Sequence, residues 1–220
     1  MCIRVLTPLL LTQLPYMADL PDIRQEQIDL LYKEIGRYVV EFEMMCHAMQ
    51  MCITFSMSSH GLRNQQISQA VIAGLTAEPL CALLRSLISE TIEIDDDECH
   101  AIDYLFRLVK TAIEDRNRII HSTWHIGWGN SMTTDWSVAK GSKPHKSKKG
   151  VCVRNSNMTK EAFSELTNDL IYIRKALLLL IDSLVGSAPV SENFILRDGE
   201  GINRLHCPHM PRSKPQRKHR

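Results

Sequence analysis

The sequence predicts an all-α protein, a bundle of about five helices with a small β-hairpin inserted after the helix that carries its most unusual motif. Three observations carry this prediction. Apolar residues recur at three- and four-residue spacing over most of the chain. Helix-starting chemistry precedes each such stretch, as in Pro21-Asp22, Glu78-Pro79, Asp95 to Glu98 and Thr159. Within the helical stretch, residues 128–158 break the pattern with turn-forming and alternating residues. With 220 residues, 44% of them apolar and 23% charged, the chain can hold one domain of ordinary size plus tails.

The first helix is expected from Pro21-Asp22 to about Met57. Ile28, Leu31, Ile35, Tyr38, Phe42, Met45 and Met49 repeat at helical spacing, and Ser58-Ser59-His60-Gly61 ends the run. Its methionines (Met44, Met45, Met49, Met51, Met57) read as adaptable core filler. A second helix covers about Leu62 to Leu75. A third starts at Glu78-Pro79, where proline suits the first turn, and reaches about Thr91. Asp95 to Glu98 places carboxylates at the positive end of a fourth helix, expected to close near Trp124 to Gly127. The hairpin follows, with strands at Asp135 to Ala139 and Gly150 to Arg154 around a polar tip, Lys140 to Lys149. The last helix starts at Thr159 and runs through Phe163, Leu166, Leu170, Ile173, Leu177 and Leu180 to Gly186. Residues 1–20 read as an N-terminal extension, 21–188 as the helical domain, and 189–220 as loop and basic tail, the last fifteen or so residues disordered.

The net charge is +1, so no global basic field points to nucleic acid. Basic residues are instead concentrated in Lys140, Lys143, Lys146, Lys148 and Lys149 and in the C-terminal tail. Seven cysteines without a CxxC pair fit reduced, mostly buried thiols in a cytoplasmic protein. His206-Cys207-Pro208-His209 lacks a second ligand pair at zinc spacing, so neither metal nor cofactor is expected. Val5 to Leu14 could be a signal-peptide core, but no clean cleavage site follows. No run reaches the roughly eighteen apolar residues that span a bilayer. Phosphate-cradling glycine loops, HExxH and nucleophile elbows are all lacking from the sequence.

The fourth helix holds the motif Arg116-Asn117-Arg118-Ile119-Ile120-His121. Ile102, Leu105, Phe106, Val109, Ile113 and Ile120 project into a stripe roughly 100° wide, and Arg116 projects near its centre. A guanidinium there either snorkels to the helix end or lines a wet site. Asn117 and His121 are four apart and share a face, so Asn117 can orient the imidazole and fix its tautomer. Arg116 beside such an imidazole suits chemistry on a phosphodiester. His121 would be general base or acid, and Arg116 would neutralise charge building on phosphorus. RNA fits best because its own 2′-hydroxyl can attack without a metal.

Residues 114–128, Glu-Asp-Arg-Asn-Arg-Ile-Ile-His-Ser-Thr-Trp-His-Ile-Gly-Trp, resemble the signature of the HEPN superfamily, Arg followed after four to six residues by His, frequently with Asn, Asp or His directly after the Arg. Arg116, Asn117 and His121 match it. The resemblance implies a metal-independent endoribonuclease of toxin–antitoxin or defence systems, with Arg116 and His121 catalytic and Asn117 orienting. It also implies a homodimer that brings two motifs together through the motif helix, and RNA as the partner. An antitoxin or defence-complex partner is a further implication. Thr123 stands where a subset of these toxins carries a Tyr that a nucleotidyltransferase modifies, so silencing by that route is not expected. Lys143, Lys146, Lys148 and Lys149 are the expected contacts to RNA backbone. The alternative is a non-catalytic dimerisation, RNA-binding or protein-interaction module that keeps the motif for packing.

Overall fold

The computed structural model describes residues 22–128, 135–147, 150–198 and 201–205. The chain is mainly helical, with a small three-stranded antiparallel sheet. Helix α1 (Asp22–Ser59) is 38 residues long and buries Ile28, Leu31, Tyr38, Phe42, Met45, Met49 and Cys52. Helix α5 (Lys160–Leu184) lies against it and buries Phe163, Leu170, Ile173, Leu177 and Leu180. Polar contacts cross this apolar seam as well. Cys52 Sγ donates to the Leu177 carbonyl at 3.0 Å, and Arg174 reaches Glu41 at 3.4 Å.

Between them in sequence come α2 (Gln65–Ile72) and α3 (Ala77–Thr91). Helix α2 is shorter than its apolar pattern suggests. Asn64 caps it by accepting from the Gln66 amide, and Gly74, at φ 75°, closes the far side in a conformation that glycine adopts without strain. Leu80, Leu84 and Ile88 form the buried row of α3.

Helix α4 (Asp96–Ile120) opens as the acidic run predicts, with Asp95 as its cap. The Asp95 carboxylate accepts from the Glu98 amide at 2.8 Å, and Glu98 Oε2 accepts from the Asp95 amide at 3.2 Å. Glu98 is buried, and its other oxygen accepts from the Ser191 amide at 2.8 Å, at the start of the short helix α6 (Val190–Phe194). One carboxylate therefore closes two helix starts, which stabilises its buried charge. Replacing Glu98 by Ala should destabilise the fold by about 2–4 kcal/mol in urea denaturation, because both bonds disappear together. Glu98→Gln should recover part of the loss, since an amide oxygen still accepts. A cost below about 0.5 kcal/mol for the alanine variant, no more than an ordinary surface substitution, would contradict this account.

The sheet departs from the expected two-stranded hairpin. Its order is β1 (Thr123–His125), β2 (Val138–Ser147), β3 (Gly150–Thr159), all antiparallel. Lys140 to Ser147, expected as part of a polar tip, is strand. Pro144 is tolerated because β1 pairs only with Lys140, Gly141 and Ser142, leaving β2 without a neighbour on that side at Pro144. Strand β1 exists because α4 ends at Ile120, earlier than expected. Ser122 Oγ donates to the Arg118 carbonyl at 2.6 Å and Trp124 Nε1 to the Ile119 carbonyl at 2.8 Å, satisfying helix-end acceptors. The β-favouring Thr123-Trp124-His125 can then join the sheet.

The segment after Pro189, expected as loop, instead forms α6 and an antiparallel pair, β4 (Ile195–Asp198) and β5 (Gly201–Leu205). Val190 and Phe194 are buried in the core. The expected extension 1–20, all but its edge of the basic tail, and His206-Cys207-Pro208-His209 lie outside the described residues. Met45 and Met49 are fully buried, whereas Met44 is exposed. Cys46 and Cys52 are buried, and burial pushes both thiols up to about 12, so they behave as packing groups. Cys99 and Cys152 are exposed, contrary to the expectation of mostly buried thiols. Among the described residues, no helix is long and apolar enough to cross a membrane.

Candidate active site

The buried stripe of α4 consists of Ala101, Ile102, Leu105, Phe106, Val109, Ala112, Ile113 and Ile119. Ile120, expected within the stripe, is 38% exposed at the last position of the helix. Arg116 thus projects into the middle of the apolar surface, and it is half-buried. Its guanidinium lies over the Phe42 ring of α1, with Cζ 5.4 Å from the ring centroid. A cation held over an aromatic face recovers part of the cost of leaving water. Arg116 Nη1 also donates to Asn117 Oδ1 at 3.3 Å.

That bond turns Asn117, expected to orient His121, toward Arg116. Its side-chain oxygen faces the guanidinium, and among the described residues no hydrogen bond joins Asn117 to His121. His121 is the residue that closes α4, at φ −94° and ψ 11°. Its side chain is exposed, and its ring has no hydrogen-bond partner among the described residues. Arg116 and His121 are therefore both at the C-terminal end of α4. One is held against α1 and the other is open to solvent.

Tyr38 of α1 lies close enough to Asp115, Arg116 and Arg118 to feel their charges. The Tyr38 hydroxyl is buried without a partner among the described residues. Burial, reinforced by the Asp115 charge, holds its proton more firmly than in water. Asp115 is itself raised by burial, against the pull of Arg118, whose guanidinium lies 2.8 Å away. Phe42 and Tyr38 read in the sequence simply as members of an apolar face. Nothing in one dimension indicates that this face meets Arg116.

Of the lysines expected to contact RNA, Lys143 reaches the motif, but through its backbone. Its Nζ donates to the Asn117 carbonyl at 3.0 Å, where a cation is favourable at the negative end of α4. Lys146 is exposed on β2, away from that bond, and Lys148 and Lys149 lie outside the described residues. Arg154, which sequence reasoning overlooked, is the cross-strand partner of Lys143 and is exposed. Two like charges directly opposite each other destabilise a strand pair, so an anion beside them is favoured. The signal that could have found Arg154 is the hairpin register, which the misplaced strand bounds concealed. Replacing Lys143 by Met should lower stability by about 0.5–1.5 kcal/mol, through loss of one charge-assisted bond at a helix end. Thermal unfolding would measure it, and an unchanged midpoint would show that the bond contributes nothing.

A shallow hollow of about 370 Å³ lies elsewhere, on the first turns of α1, lined by Gln25, Glu26, Asp29, Leu30 and Lys33. It contains none of the motif residues. Among the described residues, no group of three His, Cys, Asp or Glu side chains is placed to hold a metal ion. No family model, curated protein or solved structure matches the chain.

Proposed function

We propose that the chain is a metal-independent endoribonuclease of the HEPN kind, acting as a homodimer through its motif helix, as a toxin or defence effector. The observation that supports this reading is a guanidinium in the centre of a buried stripe, five residues from an exposed imidazole at the same helix end. In the proposed reaction, the RNA 2′-oxygen bonds to phosphorus and the bond from phosphorus to the 5′-oxygen breaks. A base takes the 2′-hydroxyl proton, and an acid returns a proton to the departing 5′-oxygen. The product ends in a 2′,3′-cyclic phosphate, which water can open. His121 supplies the base or the acid. Arg116 opposes the charge on the non-bridging oxygens. A two-fold contact would bring a second His121 to the same cleft, so that the two imidazoles could divide the proton transfers.

A second reading is favoured by the internal bonds of the motif. Asn117 accepts from Arg116 through its side chain and from Lys143 through its carbonyl within a single chain, which suits a non-catalytic interaction module. Incubation with single-stranded RNA in excess EDTA separates the two. Cleavage leaving cyclic-phosphate ends, by a protein that sediments as a dimer, is the expected result. Intact RNA at micromolar protein, or a strict need for a divalent ion, would overturn the ribonuclease reading.

A further inference from the structure

The chain has three tryptophans, and the structure treats one of them differently. Trp136 is buried, and Trp124 is packed against Phe163. Trp128 is 68% exposed. A large indole left in water forgoes the gain of burial, so its place needs an explanation beyond packing. Trp128 is also supported from one side. Its ring meets the His125 ring edge-on, with centroids 5.7 Å apart and planes at 68°. His125 belongs to β1, in register with Lys140, and its Nε2 lies 3.5 Å from Ser142 Oγ on β2. The indole therefore rests on a side chain anchored in the sheet.

Its position along the chain keeps it within reach of the candidate active site. Trp128 follows His121 by seven residues, with only β1 and a short connection between them. Seven extended residues span at most about 25 Å. The outer face of the sheet nearest it is polar, giving way to the exposed Val153 and Val151 toward the hairpin end. Side chains alternate along each strand, which places Lys140 and Ser142 on the same side as His125, along with their partners Asn157 and Asn155 on β3. An exposed aromatic ring, a cation and small hydrogen-bonding groups on one open surface are what an unstacked nucleobase and its backbone require.

We propose that Trp128, supported by His125, is a stacking platform for a base of single-stranded RNA flanking the cleaved phosphodiester. This rests on the ribonuclease reading for its substrate, and the test separates the two. Stacking on an aromatic ring tolerates any base, so the platform would secure single-stranded substrate and position it rather than select a sequence. Trp128 would then be a positioning residue, acting on KM more than on kcat.

The experiment uses the full chain carrying His121→Ala, so that RNA is bound without being cut. Titration with A8 and with U8 RNA should quench the tryptophan fluorescence. Trp128→Phe should abolish most of that quenching and weaken binding modestly, because phenylalanine still stacks. Trp128→Ala should weaken binding by about 5- to 100-fold. In the cleaving protein, Trp128→Ala should raise KM with kcat changed less than about threefold. Inorganic polyphosphate should bind without quenching, since it has phosphates and no bases. The platform is overturned if RNA is bound or cleaved while Trp128→Ala alters neither affinity nor KM, or if polyphosphate quenches equally. RNA bound with Trp128-dependent quenching but never cut would overturn the cleavage reading and leave the platform standing. Failure to bind RNA at all would overturn both.

Discussion

If the chain is the ribonuclease proposed, His121→Ala should reduce RNA cleavage by about 10²–10⁴-fold, the usual contribution of a positioned general acid or base. Because His121 is exposed and closes the helix without a side-chain partner among the described residues, the substitution should leave the far-ultraviolet circular dichroism and the unfolding midpoint nearly unchanged. Arg116→Lys should be almost as damaging to cleavage. Lysine keeps a charge, but lacks the planar fork that can bond two phosphate oxygens while lying over the Phe42 ring. It should also cost some stability, since an ammonium is more strongly hydrated than a guanidinium and is half-buried here. Single-turnover rates at saturating RNA are the decisive measurement, because they report chemistry apart from binding. Wild-type rates from the His121→Ala protein would remove the imidazole from the mechanism.

Trp124→Ala should destabilise the fold by about 3–5 kcal/mol, the range for large aromatic truncations. Trp124 connects three elements. Its Nε1 donates to the Ile119 carbonyl at the end of α4, its ring meets Phe163 of α5 edge-on at 5.4 Å, and it presses on Gly141 of β2. A Cβ at Gly141 would lie 2.8 Å from the nearest ring atom of Trp124 and 2.7 Å from Ser156 Oγ. Gly141→Ala should therefore cost about 1–3 kcal/mol, since the ring is pinned by its hydrogen bond and cannot easily yield. In the Trp124→Ala background the same Gly141→Ala change should cost much less. A double-mutant cycle from chemical denaturation measures that coupling, and additive losses would show that the two residues do not meet in solution.

The helices were readable from the sequence because their determinants are local. Thr159 caps α5 by accepting from the Ala162 amide, and Asp95 with Glu98 starts α4, as their spacing indicates. The sheet was misread because its determinants are not local. Lys140 to Ser147 looks like a polar tip until β3 is known to pair with it residue by residue, and β1 has only three residues to announce itself. Val190 and Phe194 likewise read as loop, because a five-residue helix has no room for periodicity and depends on Glu98, 93 residues earlier, to hold its first turn.

The candidate site divides along the same line. The sequence by itself determined that Arg116 projects from an apolar stripe and that His121 follows near it, since both statements need only the pitch of a helix. Tertiary structure alone decided what each side chain meets. Phe42 lies under the guanidinium, Asn117 turns to Arg116 rather than to His121, and Lys143 is drawn to a helix carbonyl. The physical reason is that a helix end leaves unpaired carbonyls and an exposed rim, and the groups that satisfy them come from whichever elements the core packs nearby.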